Sequence, residues 1–178
     1  DDKWNEHCRG LICIEYGSES DPRATVTVRE ATDYRTRVSP SDVYDSMHRV
    51  GIQHGPIFQN LKAVRARSQG SLATVEIVDT ASLMPYQFEH SHIIHPTTLD
   101  TVFQAIYAAL PAAGAQLPSA QVPRSIKNLW ISNGIRQGSG TSFNAHSKVR
   151  DNDRQGFKAD VTVVDGNDGE TVITIGDF

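Results

Sequence analysis

Two stretches of the chain carry hydrophobic residues at helical spacing, and the first has clear boundary signals. Ser39 is a favourable N-cap, Pro40 suits the first helical position, and Asp42 would complete a capping box. Gly51 is a typical stop signal. The apolar positions between these signals are Val43, Met47 and Val50. We therefore predict a helix between Pro40 and Gly51.

The second helical stretch is apolar on nearly every side. It begins near Pro96, and three alanines at positions 105, 108 and 109 widen its apolar stripe. The larger apolar residues follow at i, i+3, i+4, i+7, i+8 and i+11, namely Leu99, Val102, Phe103, Ile106, Tyr107 and Leu110. A helix with so little polar surface must be buried. A sheet wrapped around it is the natural cover.

Most of the remaining apolar runs have the length and alternation of β-strands. A hairpin is expected from strands at 61–67 and 72–79, joined by Ser68-Gln69-Gly70-Ser71. A shorter run, Leu11-Ile12-Cys13-Ile14, also has strand length. Later strands are expected at 126–132, 143–149, 157–164 and 172–175. The sum is an α+β domain in which a mostly antiparallel sheet grips one long buried helix, an arrangement called a hotdog fold.

Composition places the chain among globular proteins and narrows its partners. Hydrophobic residues make up 38% and charged residues 21% of its 178 residues. The net charge is -4 and the basic residues are scattered, which argues against a nucleic-acid partner. No apolar run approaches the roughly 20 residues that span a bilayer, and no signal peptide opens the chain. We interpret Cys8 and Cys13 as reduced packing residues of a cytosolic, cytoplasmic protein.

Asp100 is the polar residue that the buried helix does not explain. Gln104 lies one helical turn further on, so it can hydrogen-bond and orient the carboxyl group of Asp100. Burial disfavours the charged form of a carboxyl group, whereas a helix N-terminus favours it. If burial prevails, Asp100 could donate a proton to a leaving oxygen. The alternative is an acid that only complements the helix dipole, and the pattern alone does not decide between them.

Three histidines just before this helix raise the question of a metal site. His90 and His92 would share one face of a strand, and neutral imidazoles suit zinc or iron. Glu89 is adjacent in sequence rather than on that face, and His95 precedes a proline at a helix start. We therefore expect no metal, and interpret these histidines as solvated loop residues.

Three segments resemble hallmarks of polyketide synthase dehydratases, in the family's order and spacing. Residues His95 to Gln104 resemble H-P-x-x-L-D-x-x-x-Q, and Gly51 to Gln59 resemble G-x-x-Y-G-P-x-F-Q. A third segment, Val122 to Ile126, resembles V-P-x-x-I. Together the three are typical of the iterative, highly reducing synthases of fungi, and the resemblance covers most of residues 39–178.

The resemblance implies a double hotdog with the active site between two units. The first unit would supply a histidine and the second an aspartic acid, here Asp100, with Gln104 holding it in place. Together they would remove water from a β-hydroxyacyl thioester carried on the phosphopantetheine of an acyl carrier protein, and the domain itself would bind no cofactor. Secondary substrate-binding positions are implied at His54, Gly55, Pro56, Phe58, His95, Pro96 and Pro123.

The chain departs from the family pattern in two places. None of its seven histidines begins the expected H-x-x-x-G-x-x-x-x-P motif, and His54 replaces the tyrosine before Gly-Pro. Trp4, His7 and Gly10-Leu11-Ile12 resemble the strand that closes the first unit. The chain also begins without Met, so we expect a piece of a longer protein that is inactive alone. Its predicted parts are the end of a truncated N-terminal hotdog, a linker and a C-terminal hotdog, at 1–16, 17–37 and 38–178.

The expected partners are the carrier protein, neighbouring synthase domains, the N-terminal hotdog half and a second copy in a homodimer. No membrane or nucleic acid is expected.

Two alternative functions stay open. The unit could bind or dock an acyl chain without catalysis, or it could be a hotdog thioesterase, which also places an acid near the central helix. The Gly-Pro and Val-Pro segments favour the dehydratase.

Overall fold

The computed structural model describes residues 5–16, 34–110, 117–153 and 156–178. Two α-helices are present in these ranges, α1 at Pro40–Arg49 and α2 at Pro96–Tyr107. The strands are β1 Thr36–Val38, β2 Leu61–Arg67, β3 Gly70–Glu76, β4 Asn128–Ile131, β5 Ser142–Asp153, β6 Gly156–Asp165 and β7 Thr171–Gly176. Single 3-10 turns lie at Pro56–Phe58, Ala81–Leu83 and Pro85–Gln87.

The seven strands form one sheet in the order β1-β2-β3-β5-β6-β7-β4, and every neighbouring pair is antiparallel. Helix α2 packs against the centre of this sheet, on β3, β5 and β6. One hydrogen bond fixes the position of α2 on the sheet, because Ser71 Oγ of β3 donates to the carbonyl oxygen of Ala105 at 2.6 Å. The predicted hotdog architecture is confirmed.

The core lies between α2 and the inner face of the sheet. Val102, Ala105 and Ile106 of α2 are fully buried, as are Met47 of α1 and Phe143 of β5. Burying a side chain as large as those of Ile106, Met47 and Phe143 contributes about 1.5–3 kcal/mol. The apolar pattern of α2 therefore makes this helix the fixed centre of the domain, and its few polar side chains are held at defined positions.

Several predicted details of the helices and of the hairpin were wrong. Ser39 is the N-cap of α1, but its hydroxyl contacts Ser41 Oγ at 2.7 Å and caps no backbone N–H, so the capping box with Asp42 does not form. Helix α2 ends at Tyr107, which leaves Leu110 beyond it. The hairpin turn comprises two residues, 68 and 69, because the ladder already pairs Arg67 with Gly70.

The segment before β1 differs most from the sequence prediction. Leu11 and Ile12 are 103% and 98% exposed, and no strand forms in residues 5–16. The predicted strand at 11–14 is therefore wrong for this chain, because a strand needs a neighbour to pair its backbone groups. Strand β1 begins inside the predicted linker, whose residues 17–33 lie outside the described ranges, as does Trp4.

No helix in the described part of the chain is long and apolar enough to cross a membrane.

Candidate active site

Asp100 lies near the start of α2, on the side of the helix that the sheet leaves open. His95 is the N-cap of α2 and accepts the backbone N–H of Thr97 at 3.2 Å, while Pro96 occupies the first turn. Although most of α2 is buried, the Asp100 side chain is 39% exposed. The helix start therefore presents one carboxyl group at the surface of an otherwise buried element.

Gln104, one turn further along α2, hydrogen-bonds this carboxyl group. Its amide nitrogen Nε2 donates to Asp100 Oδ2 at 2.7 Å and to the carbonyl oxygen of Phe58 at 2.9 Å. Its amide oxygen Oε1 accepts the hydroxyl of Tyr44 at 2.9 Å. Gln104 is only 1% exposed. Because three hydrogen bonds fix this buried amide, the position of Asp100 Oδ2 is fixed as well.

Tyr44 completes the support for Asp100, although the sequence analysis did not identify it as a site residue. Its hydroxyl accepts the backbone N–H of Leu61 at 3.1 Å while donating to Gln104. Burial and the nearby charge of Asp100 raise the pKa of Tyr44 to about 12, although hydrogen bonds from the backbone of Leu61 and Asn60 oppose the rise. Tyr44 therefore stays a protonated donor throughout the neutral range. No local pattern marks this pairing, since Tyr44 and Gln104 are 60 residues apart.

His54 reaches the same carboxyl group from the loop after α1. Gly51 turns this loop with φ of 92°, a conformation that favours glycine, and Pro56–Phe58 closes it. The side chain of His54 is 15% exposed, and its Nε2 lies 3.5 Å from Asp100 Oδ2. Its ring meets the Tyr44 ring edge-on, with centroids 6.3 Å apart. The site thus joins residues from α1, the following loop and α2.

His95 belongs to a separate network that anchors the loop before α2. Its Nε2 lies 2.8 Å from Glu89 Oε1, and Glu89 also accepts the hydroxyl of Thr80 at 2.8 Å. Its Nδ1 faces Thr97, so both ring nitrogens have protein partners. Within the described residues, no group of three histidine, cysteine, aspartate or glutamate side chains could hold a metal ion.

The other predicted binding positions differ in their distance from this centre. Phe58 contributes its backbone carbonyl to Gln104, whereas Gly55, Pro56 and Pro96 are exposed around it. Pro123 is exposed two residues after Gln121, whose carbonyl oxygen accepts the hydroxyl of Tyr107. The structure therefore brings His54, Phe58, Asp100 and Gln104 together and directs His95 elsewhere.

Tyr107 gives the helix a second buried phenol near the carboxyl group. Burial and, to a smaller extent, the charge of Asp100 raise the pKa of Tyr107 to about 12. Both phenols close to Asp100 are therefore neutral, as is the amide that holds it. No cation among the described residues forms an ion pair with Asp100 unless His54 is protonated.

The site lies open on one side. A cavity of about 300 Å³ beside it is lined by Tyr44 and His54, together with Ser41, Asp45, His48, Ile52, Gln53 and Gln59. Asp100 does not line this cavity but faces solvent next to it. The arrangement can present a proton-donating carboxyl group to a bound molecule, yet the described residues do not enclose that molecule.

Comparison with known proteins identifies the family. A family model described as "Polyketide synthase dehydratase N-terminal domain" matches residues 22–178. The chain belongs to the polyketide synthase dehydratases. The model's description names the N-terminal part of the dehydratase, whereas the motifs between Gly51 and Ile126 resemble the C-terminal half.

A curated relative is the highly reducing polyketide synthase azaB of Aspergillus niger, 41% identical over 175 residues, which are 97% of this chain. The chain spans only 7% of the length of that synthase. Among solved structures, the dehydratase domain from the CurJ module of curacin polyketide synthase superposes with a TM-score of 0.68 at 19% identity. The match covers 88% of this chain and 53% of the CurJ chain. At this identity the likeness shows the dehydratase fold.

Two further solved neighbours are inactive mutants of the CurK dehydratase. One carries an aspartate-to-asparagine change and has a TM-score of 0.67 at 17% identity, covering 88% of this chain and 52% of its own. The other carries a histidine-to-phenylalanine change and has a TM-score of 0.67 at 18% identity, with the same coverage. Each of these single changes therefore gives an inactive CurK dehydratase.

Proposed function

We propose that this chain is the C-terminal half of a dehydratase domain which, together with its upstream half, eliminates water from a β-hydroxyacyl thioester carried by an acyl carrier protein. Asp100 is the general acid. The observation that carries this proposal is a half-exposed carboxyl group held at 2.7 Å by Gln104, a fully buried amide. A structural carboxylate would be expected to have a cationic partner, whereas this one has neutral partners and an open face.

The reaction divides between two groups. A histidine of the upstream half takes the proton from the α-carbon of the substrate, and the electron pair of that C–H bond forms the new double bond. The C–O bond at the β-carbon breaks, and Asp100 donates its proton to the departing hydroxyl, which leaves as water. The products are an α,β-enoyl thioester, a protonated histidine and an ionised Asp100, so atoms and charge balance.

The surroundings of Asp100 suit this step. Gln104 donates a neutral amide N–H to the carboxyl group, and Tyr44 in turn donates to Gln104, so no guanidinium is needed to hold the acid in place. When the proton leaves, the amide N–H of Gln104 remains to stabilise the carboxylate. Holding the acid in place beforehand lowers the barrier without reorganisation during the reaction.

The absence of the family's histidine motif supports an active site that is incomplete in this chain. The match to about half of the CurJ chain supports the same division, as does the need of CurK for both an aspartate and a histidine. We therefore propose the upstream hotdog, the carrier protein and neighbouring synthase domains as partners, with a second copy as a further candidate. The substrate would pass along the positions His54, Gly55, Pro56, Phe58, Pro96 and Pro123, whereas His95 anchors the loop before α2.

Product analysis tests this function. The chain is expressed joined to its upstream half and given a β-hydroxyacyl pantetheine thioester. We expect an enoyl thioester, detected by mass spectrometry and by the absorbance of the conjugated thioester. A free acid would instead indicate a thioesterase, and unchanged substrate that nevertheless binds would indicate an acyl-binding module. Either of those outcomes would overturn the proposed dehydratase.

A further inference from the structure

Asp100 has two carboxyl oxygens in different surroundings. Oδ2 accepts the amide N–H of Gln104 at 2.7 Å and also faces His54 Nε2 at 3.5 Å. Oδ1 takes part in no hydrogen bond among the described residues, and the side chain is 39% exposed. One oxygen is therefore turned toward protein donors, while the other is free for a ligand.

The surroundings of the His54 ring indicate which nitrogen carries its proton. Nδ1 is buried and has no hydrogen-bond partner in the described structure. A buried N–H without an acceptor costs about 1–3 kcal/mol, so the neutral tautomer with its proton on Nδ1 is disfavoured. The remaining form carries its proton on Nε2, which is the nitrogen that faces Asp100 Oδ2.

The polar and charged groups around the ring come from α1 and α2. From α1, the ring faces Tyr44, which burial keeps neutral, and it shares its cavity with Asp45 and His48, both at the surface. From α2 it faces Asp100. The carbonyl oxygen of His54 accepts Gln59 Nε2 at 2.8 Å, which holds the backbone in place.

We propose that His54 is a positioning residue which, together with Gln104, reserves Asp100 Oδ2 as an acceptor and thereby leaves the transferable proton on Oδ1. The distance of 3.5 Å is long for a hydrogen bond, but such contacts often tighten only when substrate is bound. This inference rests on the proposed dehydratase function. It assigns a role to the residue at which this chain departs from the tyrosine of the family motif.

Side-chain shape supplies a matched pair of variants. The amide nitrogen of glutamine can occupy the place of the imidazole Nε2, whereas that of asparagine reaches only the place of Nδ1. In the joined domain, His54→Gln should keep most of the wild-type kcat. His54→Asn and His54→Phe should each lower kcat about tenfold, less than the roughly 10²–10⁴-fold loss of the acid itself. KM should change little, because Oδ1 remains free.

The controls separate this inference from the function on which it rests. His90→Phe changes an exposed histidine and should leave kcat unchanged. If Asp100→Asn abolishes activity while His54→Phe and His54→Asn retain it, the role of His54 is wrong and the dehydratase stands. If Asp100→Asn is as active as wild type, the proposed function itself fails.

A spectroscopic measurement on the 178-residue chain decides the matter even if the His54 variants fail to fold. The ¹⁵N chemical shifts of a histidine ring report which nitrogen is protonated. We expect the His54 signal of the wild-type chain to show a proton on Nε2, and to shift in Asp100→Ala. A proton on Nδ1 would overturn the inference.

Discussion

Two aspartates of this domain, Asp100 and Asp165, lie in contrasting surroundings. Asp165 at the end of β6 is 3% exposed, and the guanidinium of Arg136 binds both of its oxygens. The backbone N–H of Asn167 adds a third donor at 2.8 Å. Asp100 is more exposed but has a neutral amide as its closest partner.

The comparison teaches that the partner decides the role more than the depth of burial. The hydrogen bond from Arg136 lowers the pKa of Asp165, against the opposing effect of burial, so this carboxylate stays ionised and ties the β6–β7 turn to Arg136. A carboxylate that is ion-paired with a guanidinium stays ionised near neutral pH and therefore has no proton to donate. Asp100 has no guanidinium partner among the described residues, and its Oδ1 takes part in no hydrogen bond there.

The largest expected effect comes from exchanging each aspartate for asparagine. Asp100→Asn in the joined domain should lower the dehydration rate roughly 10²–10⁴-fold, with a melting temperature close to that of wild type. Asp165→Asn should instead lower the melting temperature by a few degrees and keep the rate per folded molecule. Rates and thermal melts are measured on the same samples. Asp151→Asn, an exposed change on β5, serves as the neutral control.

The second prediction tests whether the buried amide of Gln104 supports the proposed role of Asp100 as the acid. Gln104→Leu removes the donor to Asp100 and leaves the Tyr44 hydroxyl and the Phe58 carbonyl without their partner. We expect kcat to fall about tenfold and the free energy of unfolding to fall by about 1–3 kcal/mol. Urea unfolding and steady-state kinetics measure the two changes. A variant that lost stability but kept its kcat would show that Gln104 only fills space.

The third prediction concerns acid stability and the Asp165 side of the comparison. Because the folded pKa of Asp165 lies below its ordinary value of 3.8, its contribution is present above that pH and is lost as pH falls through the lowered pKa. Wild type should therefore lose stability below pH 3.8, while Asp165→Asn should be less stable at neutral pH and show a shallower acid dependence. Thermal melts across this range measure it, and parallel curves would contradict the assignment.

The smallest effect concerns the neutral phenols around Asp100. Tyr44 and Tyr107 have pKa values raised to about 12, so each contributes stability that is full below pH 10 and is lost as pH rises through 12. Phenolate absorbance should show a late step near pH 12 or at alkaline unfolding. Tyr44→Phe should reduce this step.

The sequence predicted the parts of the site that depend on local spacing. The apolar stripe of α2 indicated a buried helix, and the interval of four residues between Asp100 and Gln104 indicated their contact, which the structure has at 2.7 Å. Strands β2, β3, β4, β6 and β7 were predicted to within a few residues, whereas β5 runs on to Asp153. Strand β1 is only three residues long and carries too little pattern to be recognised.

The rest of the site depends on contacts between distant segments. Tyr44 reaches Gln104 across 60 residues, and His54 reaches Asp100 from a loop held by Gly51 and Pro56. No periodicity encodes these contacts, because they follow from how α1 packs on β2 and how the Pro56–Phe58 turn packs on α2. The apolar run at 11–14 was predicted to be a strand, but apolar residues form a strand only where a neighbouring strand is present.

One measurement tests the central claim most directly, namely that Asp100 is the acid of an active site shared between two hotdog halves. Enoyl thioester formation is followed in a single turnover of the joined domain, for wild type, for Asp100→Asn and for a variant whose upstream histidine is replaced by phenylalanine. We expect product from wild type and almost none from either variant, with all three folded and able to bind the substrate. Equal product from wild type and Asp100→Asn would contradict the account.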